Sequence, residues 1–176
     1  MTNRNPGPAL GTISRIKMMP DLMQHAAVKE AVANSVPVTM PPEPGAMGFD
    51  IPMWVGLGTV GIWAAMEAFS DRAALPKTKC PTCSRRSCIL GRFNGFIQNK
   101  EGDTLAELDD FRHLYAHNFA GYADVEYFNR PRHVLALGNP TKLTCGTDFN
   151  GQQLLLGLPD LQFYSDIAIA VISRVS

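Results

Sequence analysis

The distribution of apolar and polar positions divides the chain into a few readable stretches. Between Ile51 and Met66 no charged residue occurs, and the apolar run continues to Phe69. A membrane-spanning helix needs about 20 apolar residues. This uncharged run has 16, contains Gly56, Gly58 and Gly61, and lacks basic flanks, so it predicts a buried core helix. Trp54, Leu57, Ile62, Met66 and Phe69 are its expected inward positions. Residues 88–99 predict a second helix with Ile89, Phe93, Phe96 and Ile97 on its apolar side, weakened by Gly91 and Gly95.

The clearest periodicity runs from Thr104 to Ala120. Leu105, Leu108, Phe111, Tyr115, Phe119 and Tyr122 recur at steps of three and four. Asp103 or Thr104 can cap this helix, with Glu107 three residues after Thr104 as in a capping box. Gly121 ends it. The period then changes. Short runs at 133–137, 142–145 and 152–156, with Asn150-Gly151 as a turn signal, predict a small β-hairpin or meander. After Pro159, Asp160 can cap a last helix to about Val175, packing through Leu161, Tyr164, Ala168, Val171, Ile172 and Val175.

Residues 1–48 break this pattern. Seven prolines and four glycines exclude long helices, and one short helix fits from Asp21 to Ala33. The expected organisation is a mobile Pro/Gly-rich arm over 1–48, followed by a mainly α-helical bundle over 49–176 with a small β-hairpin before the last helix. The chain's 176 residues suffice for one such domain.

Charge changes the picture locally. The formal net charge is zero, which excludes a polybasic nucleic-acid coat as the dominant theme. Residues 72–100, however, hold seven bases and no acid, whereas 101–126 hold seven acids and one base, Arg112. The two blocks can be solvated faces that screen each other. Alternatively, the first can offer Arg85, Arg86 and Arg92 to an RNA backbone.

Four cysteines are too few for a disulfide scaffold, and the first residues lack the pattern of a signal peptide. The expected setting is cytoplasmic, with reduced thiols and no membrane contact. Cys80 and Cys83 form a C-x2-C, Cys88 follows five residues on, and Cys145 can supply a fourth ligand by folding. That spacing admits zinc; a redox pair would need a thioredoxin-like βαβ context, which is absent, and plain unligated thiols are the third possibility. Gly56-Leu57-Gly58-Thr59-Val60-Gly61 matches the dinucleotide-binding spacing, but Pro52 interrupts the strand that should precede it and no βαβ unit follows. These glycines predict close helix packing instead.

The densest chemistry lies on the strongest helix: Asp109, Asp110, Arg112, His113, Tyr115, His117 and Asn118. His113 and His117 are four apart and share a face. With nearby carboxylates they satisfy part of a metal site, but they supply only two histidines and no H-E-x-x-H glutamate. Arg112 and His117 lie about 140° apart around the helix. They can meet on one substrate group across a dimer interface or in a cleft with a neighbouring helix.

Arg112-His113-Leu114-Tyr115-Ala116-His117 resembles the R-x(4–6)-H signature of the HEPN superfamily (higher eukaryotes and prokaryotes nucleotide-binding domains). The resemblance covers about 50–175. It implies a helical bundle that cleaves RNA without a metal ion, as a homodimer of toxin or defence type with an antitoxin-like protein partner. Arg112 and His117 would be catalytic: His117 as general base toward a ribose 2′-OH, Arg112 holding the phosphate. His113, Asn118, Tyr115 and Asp109 would support them. Phe119 stands where modified members carry a Tyr, so that modification does not carry over. Many HEPN-like domains bind nucleotides or proteins, or dimerise, without cutting. On the residues alone, Arg112 can equally bridge to Asp109 or Asp124, and a small zinc-stabilised structural domain is a further class.

Overall fold

The computed structural model describes residues 4–19, 51–98, 100–117, 123–124, 153–154 and 158–175. It is mainly helical. In chain order the elements are α1 (7–19), α2 (Ile51–Arg72), α3 (Ile89–Phe93), α4 (Glu101–His117), β1 (Ala123–Asp124), β2 (Gln153–Leu154) and α5 (Leu158–Ser173). Helix α2 packs against both α4 and α5, which also touch each other, and the core lies between these three. No helix among the described residues is long and apolar enough to cross a membrane.

Helix α2 buries Val55, Ile62, Met66 and Phe69 along one face. Ile62, Met66 and Phe69 were expected there. Leu57 was too, but it is 51% exposed, because it lies on the opposite side of the helix from Val55. The Gly56–Gly61 stretch is helical throughout, so it forms no phosphate-binding turn. Its glycines allow close packing. A Cβ on Gly56 would stand 2.5 Å from the Tyr115 ring of α4, and one on Gly58 would stand 2.6 Å from Leu161 of α5. Just past the end of α2 stands Ala74, a non-glycine residue at φ 50°. The Ala74 amide donates to the Asp71 carbonyl at 3.1 Å and the Leu75 amide to the Ser70 carbonyl at 3.0 Å. This left-handed cap satisfies carbonyls that the helix end would otherwise leave open. It also turns the chain inward, so that Leu75 is buried.

The expected packing side of α5 is fully realised: Leu161, Tyr164, Ala168, Val171, Ile172 and Val175 are all buried. Helix α4 buries Leu105, Leu108, Phe111 and Tyr115 as expected, and the Phe111 and Tyr164 rings lie 6.5 Å apart. Its start differs from expectation. The helix begins at Glu101, whose carboxylate accepts the Gln98 amide at 2.8 Å, and the Thr104 hydroxyl turns back to the Lys100 carbonyl. Glu107 takes no part in a capping box with Thr104. It is buried and accepts a 2.6 Å hydrogen bond from the Tyr164 hydroxyl of α5. Burial, reinforced by the Glu107 charge, pushes the Tyr164 phenol well above its usual range. A tertiary partner has captured the acid that local spacing assigned to the cap.

The helix expected from Asp21 to Ala33 lies outside the described residues. Part of the segment read as a peripheral arm is nevertheless built into the body. Pro6 and Pro8 suit the first turn of α1, and the Asn5 side chain accepts the Gly7 amide at 2.9 Å. Ala9 and Ile13 are buried in the core, and Lys17 pairs with Asp166 of α5. The expected hairpin over 133–156 falls almost entirely outside the described residues. Within them, β1 and β2 form a two-residue antiparallel pair, with Ala123 opposite Leu154 and Asp124 opposite Gln153.

Arg174, just beyond α5, grips Glu101 with two parallel hydrogen bonds of 2.6 and 2.7 Å and donates to the Phe96 carbonyl at 2.9 Å. Those hydrogen bonds outweigh partial burial and hold the Glu101 carboxyl below its usual 4.5. A depressed carboxylate contributes stability above its unfolded pKa and loses it as pH falls through the folded value. Glu101→Gln should therefore lower the melting temperature by a few degrees at neutral pH, and the difference should shrink progressively as pH falls below the ordinary carboxylate range. Thermal melts of the two proteins across that range measure the difference.

Candidate functional site

The motif helix α4 packs on α2, and this contact decides what Arg112 can do. Its Nε donates to Asp109 Oδ1 at 2.6 Å, one helical turn back. Its guanidinium carbon lies 5.3 Å from the centre of the buried Trp63 ring on α2. A carboxylate on one edge and an aromatic surface together fix a guanidinium in orientation. The Arg112 side chain keeps 23% of its surface accessible, while Asp109 has none. A guanidinium carries five N–H donors, so the Nε bond leaves its terminal nitrogens with donors for a further anion.

The other expected site residues separate into groups. His113 is half-buried beside Arg112 on the helix. His117 is the last residue of α4, and its side chain lies outside the described set, as does all of Asn118. Tyr115 is part of the core: it is buried, with its ring against Gly56. Asp109 holds Arg112, as one reading of the residues anticipated. Trp63 was missed. It sits in an apolar run, and no spacing in the sequence ties it to Arg112.

The basic block is also divided. Arg72, Lys77, Lys79, Arg85, Arg86 and Lys100 are exposed. Arg92 is not available to RNA as expected: it is 8% exposed, donates to Ser70 Oγ at 2.9 Å and pairs with Asp71. Part of the acidic block is not a solvated face either. Glu107, Asp109 and Asp110 are buried in α4.

The cysteines do converge. The sulfurs of Cys80, Cys83 and Cys88 lie within 4.8 Å of one another, and among the described residues they are the one group gathered closely enough to hold a metal ion. Cys80 and Cys88 are buried and Cys83 is half-buried. Cys145 lies outside the described residues. The loop between them is shaped by backbone bonds: the Ser84 amide donates to the Cys80 carbonyl at 3.0 Å, and the Cys80 amide donates to the Arg85 carbonyl at 3.1 Å. Ser84 adopts φ 58°, which turns the chain immediately after Cys83.

Burial pushes the Cys80 thiol up. Hydrogen bonds from the Cys83 backbone and from the hydroxyl and backbone of Thr82 outweigh this and bring it down to about 7. Cys88 is driven in the opposite direction by burial, with the charges of Cys80, Asp109 and Cys83 adding to the effect against the Leu90 backbone bond. Asp109 thereby links the two candidate sites: the carboxylate that holds Arg112 also acts on the thiol of Cys88.

Comparison with protein-family models, with curated proteins and with solved structures finds no match to this chain.

Proposed function

We propose that this chain is a HEPN-like domain that cleaves RNA as a metal-independent endoribonuclease, with Arg112 and His117 as its chemical centre. The supporting observation is the Arg112 guanidinium: held by the buried Asp109, lying over Trp63 and partly accessible, five residues before His117 on one helix. An arginine oriented in this way suits bidentate binding of a phosphate and stabilisation of the charge that builds on it during transfer. The imidazole of a histidine such as His117 is the side chain suited to removal of the ribose 2′ proton near neutral pH. The 2′ oxygen then bonds to the adjacent phosphorus, and the 5′ oxygen leaves and takes a proton from solvent. The products are a 2′,3′-cyclic phosphate and a 5′-hydroxyl end. Pairing of two copies supplies the second flank that one helix lacks, and the exposed Arg85 and Arg86 give RNA an electrostatic approach.

One observation favours a second reading, a non-catalytic nucleotide- or protein-binding module: the charge of Arg112 already has a carboxylate partner. Purified protein should cleave single-stranded RNA in buffer freed of magnesium and calcium, leaving cyclic-phosphate ends. His117→Ala should lose about a hundredfold or more in rate while keeping the helical circular dichroism. Equal cleavage by both proteins rejects the catalytic assignment. RNA binding without product selects the binding module.

A further inference from the structure

The segment from Leu75 to Cys88 has no regular helix or strand, yet its shape is closely specified. It leaves α2 through the left-handed Ala74, passes the buried Cys80, reverses at Ser84 and re-enters the body at Cys88, the residue that precedes α3. The Thr78 hydroxyl anchors it to the Gly91 carbonyl of α3. The result is three sulfurs from one short stretch aimed at a common point.

We propose that Cys80, Cys83 and Cys88 bind a zinc ion through three thiolates, tying this loop to α3 and the bundle. Zinc–sulfur bonds of about 2.3 Å in tetrahedral geometry place sulfurs about 3.8 Å apart. The observed spread, within 4.8 Å, needs only small side-chain rotations to reach that value. Backbone amides already meet two of the sulfurs. Amides of Thr82 and Cys83 bond to the Cys80 sulfur, and that of Leu90 bonds to the Cys88 sulfur at the start of a helix. Such donors orient metal-bound thiolates and moderate their charge. Three thiolates this close repel one another, and a divalent cation cancels that repulsion. Thiolate sulfur with tetrahedral spacing selects zinc over hard cations such as calcium or magnesium. Since only Cys83 is partly accessible, the ion would sit at the edge of the core, where it closes the loop.

The proposal rests on the cysteine cluster alone and is independent of RNA cleavage. The full chain, produced with zinc in the medium and purified under reducing conditions, should carry one zinc per chain by plasma mass spectrometry. A strong chelator should lower its melting temperature. Cobalt exchanged into the site should give the ultraviolet charge-transfer absorption of at least three thiolates and the visible bands of a tetrahedral ion. Cys83→Ser, the substitution that disturbs packing least, should lose the zinc while keeping its helical circular dichroism, and a chelator should then not shift its melting. Cys83→His should recover binding. Protein that stays zinc-free after refolding with zinc overturns the proposal. So does Cys83→Ser protein with wild-type zinc content, or a Cys80–Cys83 disulfide that persists through reducing purification.

Discussion

Arg112→Ala should destabilise the fold by about 3 kcal/mol, whatever it does to activity. Asp109 has no accessible surface, and the guanidinium bonds it at 2.6 Å. Removing the cation leaves a carboxylate in the interior without that partner, and truncation also strips the face of Trp63. For a domain of this size the change corresponds to a fall of roughly 6–12 °C in melting temperature. Arg112→Lys should fall between, since it keeps the charge and loses the planar fork. The double variant Asp109→Asn with Arg112→Ala should be more stable than the sum of the two single effects, because a neutral amide tolerates burial better than a charge. Denaturant melts of the four proteins measure this coupling. If Arg112→Ala melts with the wild type, the pairing contributes nothing to the fold. The practical consequence concerns assays: lost cleavage in Arg112→Ala reports on chemistry only where its melting shows the protein folded, so His117→Ala is the cleaner probe.

Gly91→Ala should also be costly, although in an ordinary helix this change is favourable by about 1 kcal/mol. A Cβ at this position would run into the Thr78 carbonyl oxygen, with the Cys80 nitrogen and the Lys79 carbonyl carbon each 3.0 Å away. All three obstacles are backbone atoms, so no side-chain rotation relieves the clash. The segment 78–80 must move off α3 and carry Cys80 with it. The expected result is a loss of about 2–3 kcal/mol, within the upper range for overpacking. Faster reaction of the Cys80 and Cys88 thiols with an aromatic disulfide reagent should accompany it. Unfolding in urea and thiol-labelling rates read the two effects separately. A Gly91→Ala protein more stable than the wild type would mean that α3 and the loop are not in contact here.

How much of this was legible in the sequence depended on whether local spacing or a distant partner decided each position. The inward face of α5 was fully readable, because six apolar residues recur at helical steps and nothing competes with them. The same holds for Leu105, Leu108 and Phe111 of α4. Helix α1 was not read: Gly7, Pro8 and Gly11 dilute a pattern carried only by Ala9, Ile13 and Ile16. Glu107 has the right spacing for a capping box, yet a tyrosine 57 residues away claims it. Arg92 belongs to an acid-free stretch, and nothing local reveals that Ser70 and Asp71 draw it inward. For the site, the spacing brought Cys80 and Cys83 together. The arrival of Cys88 needed a reversal at Ser84, where no glycine marks the turn. The link from Arg112 to Asp109 was readable as a three-residue step, whereas Trp63 was not.

Ala74 and Ser84 also bear on where the cysteine arrangement comes from. Both carry a side chain in the left-handed region, at a penalty of roughly 1–2 kcal/mol each relative to ordinary backbone. Local preference therefore works against this loop at both bends, and the helices on either side impose its shape. An excised peptide carrying the same three cysteines would relax at those two residues and lose the convergence of its sulfurs. The arrangement belongs to the helical body as a whole, and the cysteine spacing can be transplanted to another scaffold only together with the supports that bend it.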